Sequence, residues 1–576
     1  MKKITTIVLL LCSMAAAAQN HQNQKIDPTV EVDREYHGNM MEVAKGKLDT
    51  GIADSLGNFN IDFNYSFFNR PYKDMYEFSA VPSARMPKME TERFPSLVAK
   101  LGIGIPLSPE ASVSFAPMLK KGNDLHLSGN FNLFKGDVPQ ISILGGKTEK
   151  NGHKTENKEY SYGIGGNYTH AWRSGELNVS AGFNGGYSTY YGSILSTGNY
   201  TGEIYPSEPG HHSYTRVGAS LGIKSSGAGK YGKKMNYAAG GSISYTQDKM
   251  AGKLQETYVK FNAEAGPTVG RYNKFMAAVG VEGINYNGTA DSHLGLFHIT
   301  PQYRYENGNL KVNLGVKFQG EFGNKEGADK YHNFIFPAVH LSFNLLPDKL
   351  WLYGTVDGSN CLNTYSSALY ANPHINPDET PSTLMMGSIP VNVEAGFKGR
   401  ATDRISYRIF AGYTIHKGLQ QFLYNQDKGW FSTFYSNTNE FRSGAELTVS
   451  TERVQGGFSA EYSSFGKGEK STFKDGLEAI GFPALKGKAY LGYNWENRVY
   501  AGVECRFRGE SHFACKDGTT GTAEGFADLQ ANVEYVYNPV FTFWLRGSNL
   551  LDAPLQYHPF YAGRGIGISA GIIVKL

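Results

Sequence analysis

Past Ala18 this chain lacks any apolar run that approaches the roughly 20 residues a membrane-spanning helix needs, and its mean hydropathy is negative, at -0.38. It also lacks an excess of either charge. Fifty-six Lys and Arg stand against 52 Asp and Glu, for a net +4, which excludes the strongly basic surface expected of a nucleic-acid binder. Cysteine is scarce. Apart from Cys12 there are Cys361, Cys505 and Cys515, and none forms the close pairs of a zinc site. Cys505 and Cys515 are near enough in sequence to bridge one surface loop, which leaves Cys361 free. No catalytic spacing stands out either. Gly163, Gly165 and Gly166 brush against a nucleotide-binding glycine pattern but lie inside an alternating strand, where glycine eases packing and bending. His211-His212 falls in or beside a long polar loop and reads as solvated, because adjacent imidazoles point apart on a strand. No catalytic, cofactor-binding or metal-ligating residue is therefore assigned, no cofactor is expected, and the chain does not read as an enzyme.

What is abundant is Gly (69), Tyr (37) and Phe (34), arranged with a period of two. Leu177, Val179, Ala181, Phe183 and Tyr187 share one face; Asn178, Ser180, Gly182, Asn184 and Ser188 share the other. After Asn307-Gly308, a hairpin signal of the mirror-turn kind, Leu310, Val312, Leu314, Val316 and Phe318 alternate with Lys311, Asn313, Gly315, Lys317 and Gln319. The same pattern runs through Val391 to Lys398, Ile405 to Tyr413 and Ala527 to Tyr535. The alternating segments are mostly about 10 to 14 residues, longer than soluble strands and long enough to cross a bilayer at a tilt. In such a strand the polar half hides the lipid-facing half from any hydropathy average, which accounts for the negative mean.

The connections fall into two alternating classes. Short ones lie near Trp172 to Gly175, Glu306 to Asn309, Pro347-Asp348, Gly399 to Asp403, Ser450 to Arg453, Trp495 to Asn497 and Asn538-Pro539. Long ones lie near Tyr190 to Gly210, Asp357 to Met385, His416 to Asn439, Gly466 to Pro483 and Gly509 to Ala523. Trp172, Trp351 and Trp495 sit beside short turns, as an aromatic girdle at the inner lipid interface requires. Ile566, Ile568, Ala570, Ile572, Val574 and Leu576 form the apolar face of a last strand, the signal by which a precursor addresses the barrel-assembly machinery. The reading is all-β: a transmembrane antiparallel up-and-down barrel of about 22 strands, with short periplasmic turns and long extracellular loops, its outer face against outer-membrane lipid. Counted back from the end, those strands start near Glu110, with one or two more possible at Leu97 to Ile105 and Phe59 to Phe67.

The amino terminus carries Lys2 and Lys3, an apolar run from Ile4 to Met14 and small residues to Ala18, which reads as a secretory signal cleaved before Gln19. Leu11, too large to precede a lipidated cysteine, argues against a lipoprotein signal at Cys12. The expected organisation is a signal peptide over 1–18, a periplasmic or lumen-filling segment over 19–93, and an outer-membrane barrel over 94–576.

Two passages resemble the barrel of TonB-dependent receptors. One runs from Phe336-Pro337-Ala338-Val339 and Leu341-Ser342-Phe343 through Asp348 to Gly354, into a loop holding Asn372-Pro373-His374-Ile375-Asn376-Pro377-Asp378-Glu379. There Asp378 interrupts the Pro-Glu pair of the family's pattern. The other is the ending, Ser548-Asn549-Leu550-Leu551-Asp552, then Pro559, Tyr561 and Gly563 to Gly565. The resemblance covers about the second half of the chain and implies receptor-like solute uptake. It departs from the family before the barrel, where too few residues precede the first strands for the usual plug. Asp27 to Val32 faintly matches the short box grasped by the TonB protein.

By parity, Lys260, Asn262, Glu264, Lys311, Asn313, Lys317, Glu394, Lys398, Arg408, Asp528, Gln530 and Glu534 face the lumen, where they hydrate or cross-brace the wall. The expected function is solute passage or uptake across the outer membrane. The alternative is an accessory barrel in another outer-membrane complex, passing nothing. Expected partners are lipid, the assembly machinery, and TonB or another outer-membrane protein or lipoprotein.

Overall fold

The computed structural model describes residues 95–144, 147–192, 194–195, 203–204, 210–225, 235–250, 253–288, 292–324, 334–347, 349–377, 386–467 and 479–576. The signal segment, the Asp27 to Val32 box, Phe59 to Phe67 and the rest of 1–94 lie outside them.

Among the described residues the wall opens with β1 (Leu97–Ile105), β2 (Glu110–Phe115), β3 (Asn123–Leu144), β4 (Lys147–Trp172) and β5 (Gly175–Thr189). It continues through β6 (His211–Ser225), β7 (Met235–Asp248), β8 (Gln255–Val269), β9 (Asn273–Asn287), β10 (Ser292–Glu306) and β11 (Leu310–Asn324). Next come β12 (Ile335–Leu346), β13 (Leu350–Leu362), β14 (Met386–Thr402), β15 (Ile405–Asn425), β16 (Trp430–Ser450) and β17 (Val454–Lys467). The last five are β18 (Leu485–Trp495), β19 (Val499–Arg508), β20 (Phe526–Val536), β21 (Phe541–Ser548) and β22 (Gly567–Lys575). Each strand pairs antiparallel with the next, and β22 pairs with β1 from Val98↔Lys575 to Ile105↔Ile568. The ring of 22 strands is thus closed and leaves no unpaired edge, the condition lipid imposes on a spanning sheet. Segment Leu97 to Ile105 is the first wall strand, so 21 strands rather than about 22 follow from Glu110.

Alternation places the apolar halves outward. Val259 and Phe261 on β8, Leu314, Val316 and Phe318 on β11, and Val533 and Tyr535 on β20 are all exposed. Rows of exposed large side chains on every side make sense only against hydrocarbon. The interleaved residues line the lumen and brace one another. Arg304 meets Glu264 at 2.6 Å, Lys317 meets Asp357 at 3.6 Å, Lys260 meets Glu282 at 3.8 Å and Lys311 meets Glu306 at 2.7 Å. Glu394 is held between Arg408 (2.7 Å) and Arg442 (3.3 Å), Lys398 lies over the Tyr353 ring, and Gln530 donates to Asp528.

The seven short connections fall at one end of the barrel. The turn at Trp495 is of the mirror type, with positive φ at Glu496 (50°) and Asn497 (58°). The Asn307-Gly308 turn is not. Neither residue has positive φ; the Asn307 side chain instead accepts the N–H groups of Asn309 and Leu310. One expected long loop is also corrected. His416 to Asn439 is mostly the outer half of β15 and β16, paired from Leu419↔Ser436 to Asn425↔Trp430. A register shift between His416 and Leu419, with Gly418 at φ 74°, breaks the period and hides the continuation.

Candidate functional site

The long connections carry too many large apolar residues to stay in water. Tyr191, Leu369, Ile375, Phe513 and Phe560 come from four different connections and Phe431 from the outer end of β16, yet they are buried in one cluster at the extracellular end. Removing such surface from water is the driving force that draws the loops together. The result is a cap across the outer mouth.

Its span is measured by Tyr190 and Trp430. Tyr190 follows β5 and Trp430 opens β16, which stand eleven places apart in the ring of 22 and so on opposite walls. Their ring centroids are nevertheless 5.7 Å apart. The Tyr190 hydroxyl donates to the Ile375 carbonyl (2.9 Å) and the Tyr191 hydroxyl to the Ala562 carbonyl (2.8 Å). The β15–β16 ribbon leans into this core with both edges occupied. Phe431 N donates to His374 O and Asn376 N to Phe431 O, each at 2.9 Å, while Lys516 N donates to Tyr424 O on the other edge. Tyr561 reaches the same ribbon through a hydrogen bond to the Gly429 carbonyl.

Polar groups tie the cap to the wall. The loop after β13 forms a short helix, α1 (Tyr365–Ala371), whose Thr364 hydroxyl accepts the N–H of Ser367 while the Thr364 N–H donates to the Ser367 hydroxyl in return. The Glu256 carboxylate of β8 accepts from the N–H groups of Tyr365 and Ser366, the Ser366 hydroxyl and the Tyr286 hydroxyl. One turn on, Asp248 of β7 accepts the Tyr365 hydroxyl at 2.6 Å and lies 2.9 Å from His212 Nδ1. His212 Nε2 contacts the Pro373 carbonyl at 2.8 Å; that oxygen can only accept, so Nε2 carries a proton. His212 is fully buried, with Tyr190 stacked on it. The reading of His211-His212 as a solvated loop is therefore wrong for His212. The pair opens β6, and strand alternation sends His211 out onto Tyr187 and His212 into the cap.

At the centre the His374 ring lies on Tyr561 (centroids 3.8 Å) and edge-on to Tyr191 (5.6 Å) and His558 (5.8 Å). Burial and the neighbouring imidazoles hold the His374 pKa well below its usual value. Burial, with the Arg508 guanidinium, lowers His558 to about 3. Around the rim, Lys150 pairs with Asp552 (2.8 Å), Glu524 accepts the N–H of Thr148 and Gln140 donates to Tyr191 O. Asn549, at positive φ, closes the last loop by donating to Ala553 O and Arg564 O.

The two receptor-like passages thus supply the heart of the cap, since Asn372 to Asn376 and Asn549 to Gly565 meet there. The lumen residues picked by parity stay on the wall below it. His212, Asp248, Glu256, Tyr365 and His558 were not legible, because they come together only through β6 to β8 and two distant loops. Cys505 and Cys515 are free: Cys505 is in wall strand β19, whereas Cys515 is buried in a small hairpin, Ser511–Ala514 with Thr520–Ala523, inside the cap.

No family model matches the sequence, and no curated protein matches it. Solved structures do match in fold. The siderophore receptor PirA from Acinetobacter baumannii aligns over 83% of this chain and 80% of its own, with TM-score 0.58 and 12% identity. The FrpB iron transporter from Neisseria meningitidis aligns over 84% and 82%, with TM-score 0.60 and 10% identity. The copper transporter OprC aligns over 84% and 82%, with TM-score 0.59 and 11% identity. What this chain shares with them is an architecture: it has the 22-stranded outer-membrane barrel fold of the TonB-dependent receptors.

Proposed function

We propose that the chain mediates gated passage of a solute across the outer membrane, without catalysis of its own, and that the cap is the gate. The observation that carries this is the Tyr190–Trp430 contact across the full mouth. A lipid-facing ring needs no such span for its own stability, whereas a conduit that must not leak does. The fold neighbours, named as receptors and transporters, support the same reading.

In planar bilayers the full chain should conduct little, and Tyr190→Ala with Tyr561→Ala should produce a stable channel. Identical conductance of the two proteins rules out the cap as gate. A second reading, an accessory barrel that passes nothing, draws support from the mutual pairing of the lumen charges, such as Glu394 between two arginines. A stoichiometric partner in mild detergent, together with a channel-silent cap variant, favours that role instead.

A further inference from the structure

Resting on the gate reading, we infer that the cap is proton-operated: protonation of His374 and His558 separates the Asn372–Asn376 segment from the last extracellular loop and opens the mouth. The geometry is that of two imidazoles closed face to edge inside an aromatic box. His374 is sandwiched between Tyr561 and Tyr191, and His558 lies edge-on to Phe431 at 6.0 Å. The two rings belong to different loops, so repulsion between them acts directly on the joint.

The groups that face the pair from each packed element favour its neutral form. From the wall, His212 disfavours the charged form of His374, and its carboxylate neighbour Asp248 is already engaged by His212 itself and Tyr365. From the end of β19, Arg508 acts on His558 while donating to Tyr557 O. From the last loop and β4, the Arg564–Glu159 pair lies beyond Tyr191. His374 Nδ1 has no hydrogen-bond partner, and the backbone of Thr189 is the one group that favours its charged form. Tyr557, Tyr561 and the Cys515 thiol are neutral, burial raising the pKa of each.

The sign follows. Both pKa values are lowered in the closed cap, so closed is the proton-poor state, and stability is lost as pH falls below the ordinary histidine value of about 6.5. Between pH 6.5 and 5 the open population should rise roughly 16-fold for one such imidazole and about 270-fold for two.

The test is the rate of Cys515 labelling in the full chain carrying Cys12→Ser, Cys361→Ser and Cys505→Ser, divided by the rate for the denatured chain at each pH. The ratio should climb steeply from pH 7.5 to 5, with half the logarithmic slope in His374→Phe or His558→Phe and none in the double variant. Compact migration of unheated protein on a detergent gel confirms that each variant folds. A flat ratio in the parent, or an unchanged slope in the double variant, overturns the inference. Tyr561→Ala at pH 7.5 separates the two readings. If it exposes Cys515 and conducts while pH has no effect, the gate stands and the proton trigger fails; if it exposes Cys515 without conducting, the gate reading fails.

Discussion

Gly102 of β1 and Gly571 of β22 stand opposite each other across the seam that closes the barrel, and the indole of Trp544 lies over both. A Cβ on Gly102 would fall 2.1 Å from that ring; one on Gly571 would fall 1.9 Å from the Leu101 carbonyl oxygen as well as 2.7 Å from the ring. The ammonium of Lys100 sits 4.6 Å from the same indole, so cation and ring together seal the seam from the lumen side.

Gly102→Ala and Gly571→Ala should each cost about 1–3 kcal/mol by overpacking. Trp544→Leu should rescue most of the first loss and little of the second, because only at Gly571 is the obstruction backbone. Urea unfolding from lipid vesicles measures both. Equal rescue at the two positions would contradict the seam geometry.

The wall's parity can be tested on neighbouring residues. Val316 faces lipid and Lys317 faces the lumen, where it meets Asp357. Val316→Lys should destabilise by about 2–4 kcal/mol if it lies near the bilayer midplane. Lys317→Val removes a partner from Asp357 and should cost about 1–3 kcal/mol, the penalty of an unsatisfied buried group. The two losses should differ in their response to lipid chain length, which acts on the first alone.

Asp248→Asn removes the carboxylate shared by His212 and Tyr365. Removing it leaves buried hydrogen-bonding partners unsatisfied, a penalty of about 1–3 kcal/mol. Here it should appear as local opening. Amide exchange should accelerate over α1 and Asn372–Asn376 while the amides of β8 to β12 keep their protection. Uniform loss across the wall would mean that the pair supports the barrel rather than the cap.

Glu256→Gln keeps the size of the side chain but turns an amide group toward a set of donors. The capped start of α1 loses about 1–3 kcal/mol as a result. Circular dichroism cannot see seven residues in so much sheet, so amide exchange at Tyr365 and Ser366 is the readout. Protection equal to that of the parent protein would show the four hydrogen bonds to be incidental.

Burial pushes the Cys515 thiol up to about 12 from its ordinary 9.0. A raised thiol pKa means the neutral form is the one the closed cap accepts. The contribution is complete below about pH 9 and is lost as pH rises toward 12. Alkylation of Cys515 at pH 8 should therefore be slower by three orders of magnitude or more than in the denatured chain, with Cys515→Ala abolishing the slow phase. Rapid labelling at neutral pH would place Cys515 outside the cap's core.

The sequence alone determined the wall. A side-chain period of two admits one arrangement in lipid, so Val316 out and Lys317 in, the tryptophans beside the short turns and the apolar last strand all follow from local order. The cap was decided by tertiary structure. Its contacts join residues hundreds of positions apart, such as Tyr191 with Ala562, and its strands hide behind a register shift at Gly418. His212 showed only as half of a polar dipeptide. Whether an imidazole is solvated or buried depends on what the opposite wall brings to meet it, and no local pattern carries that information.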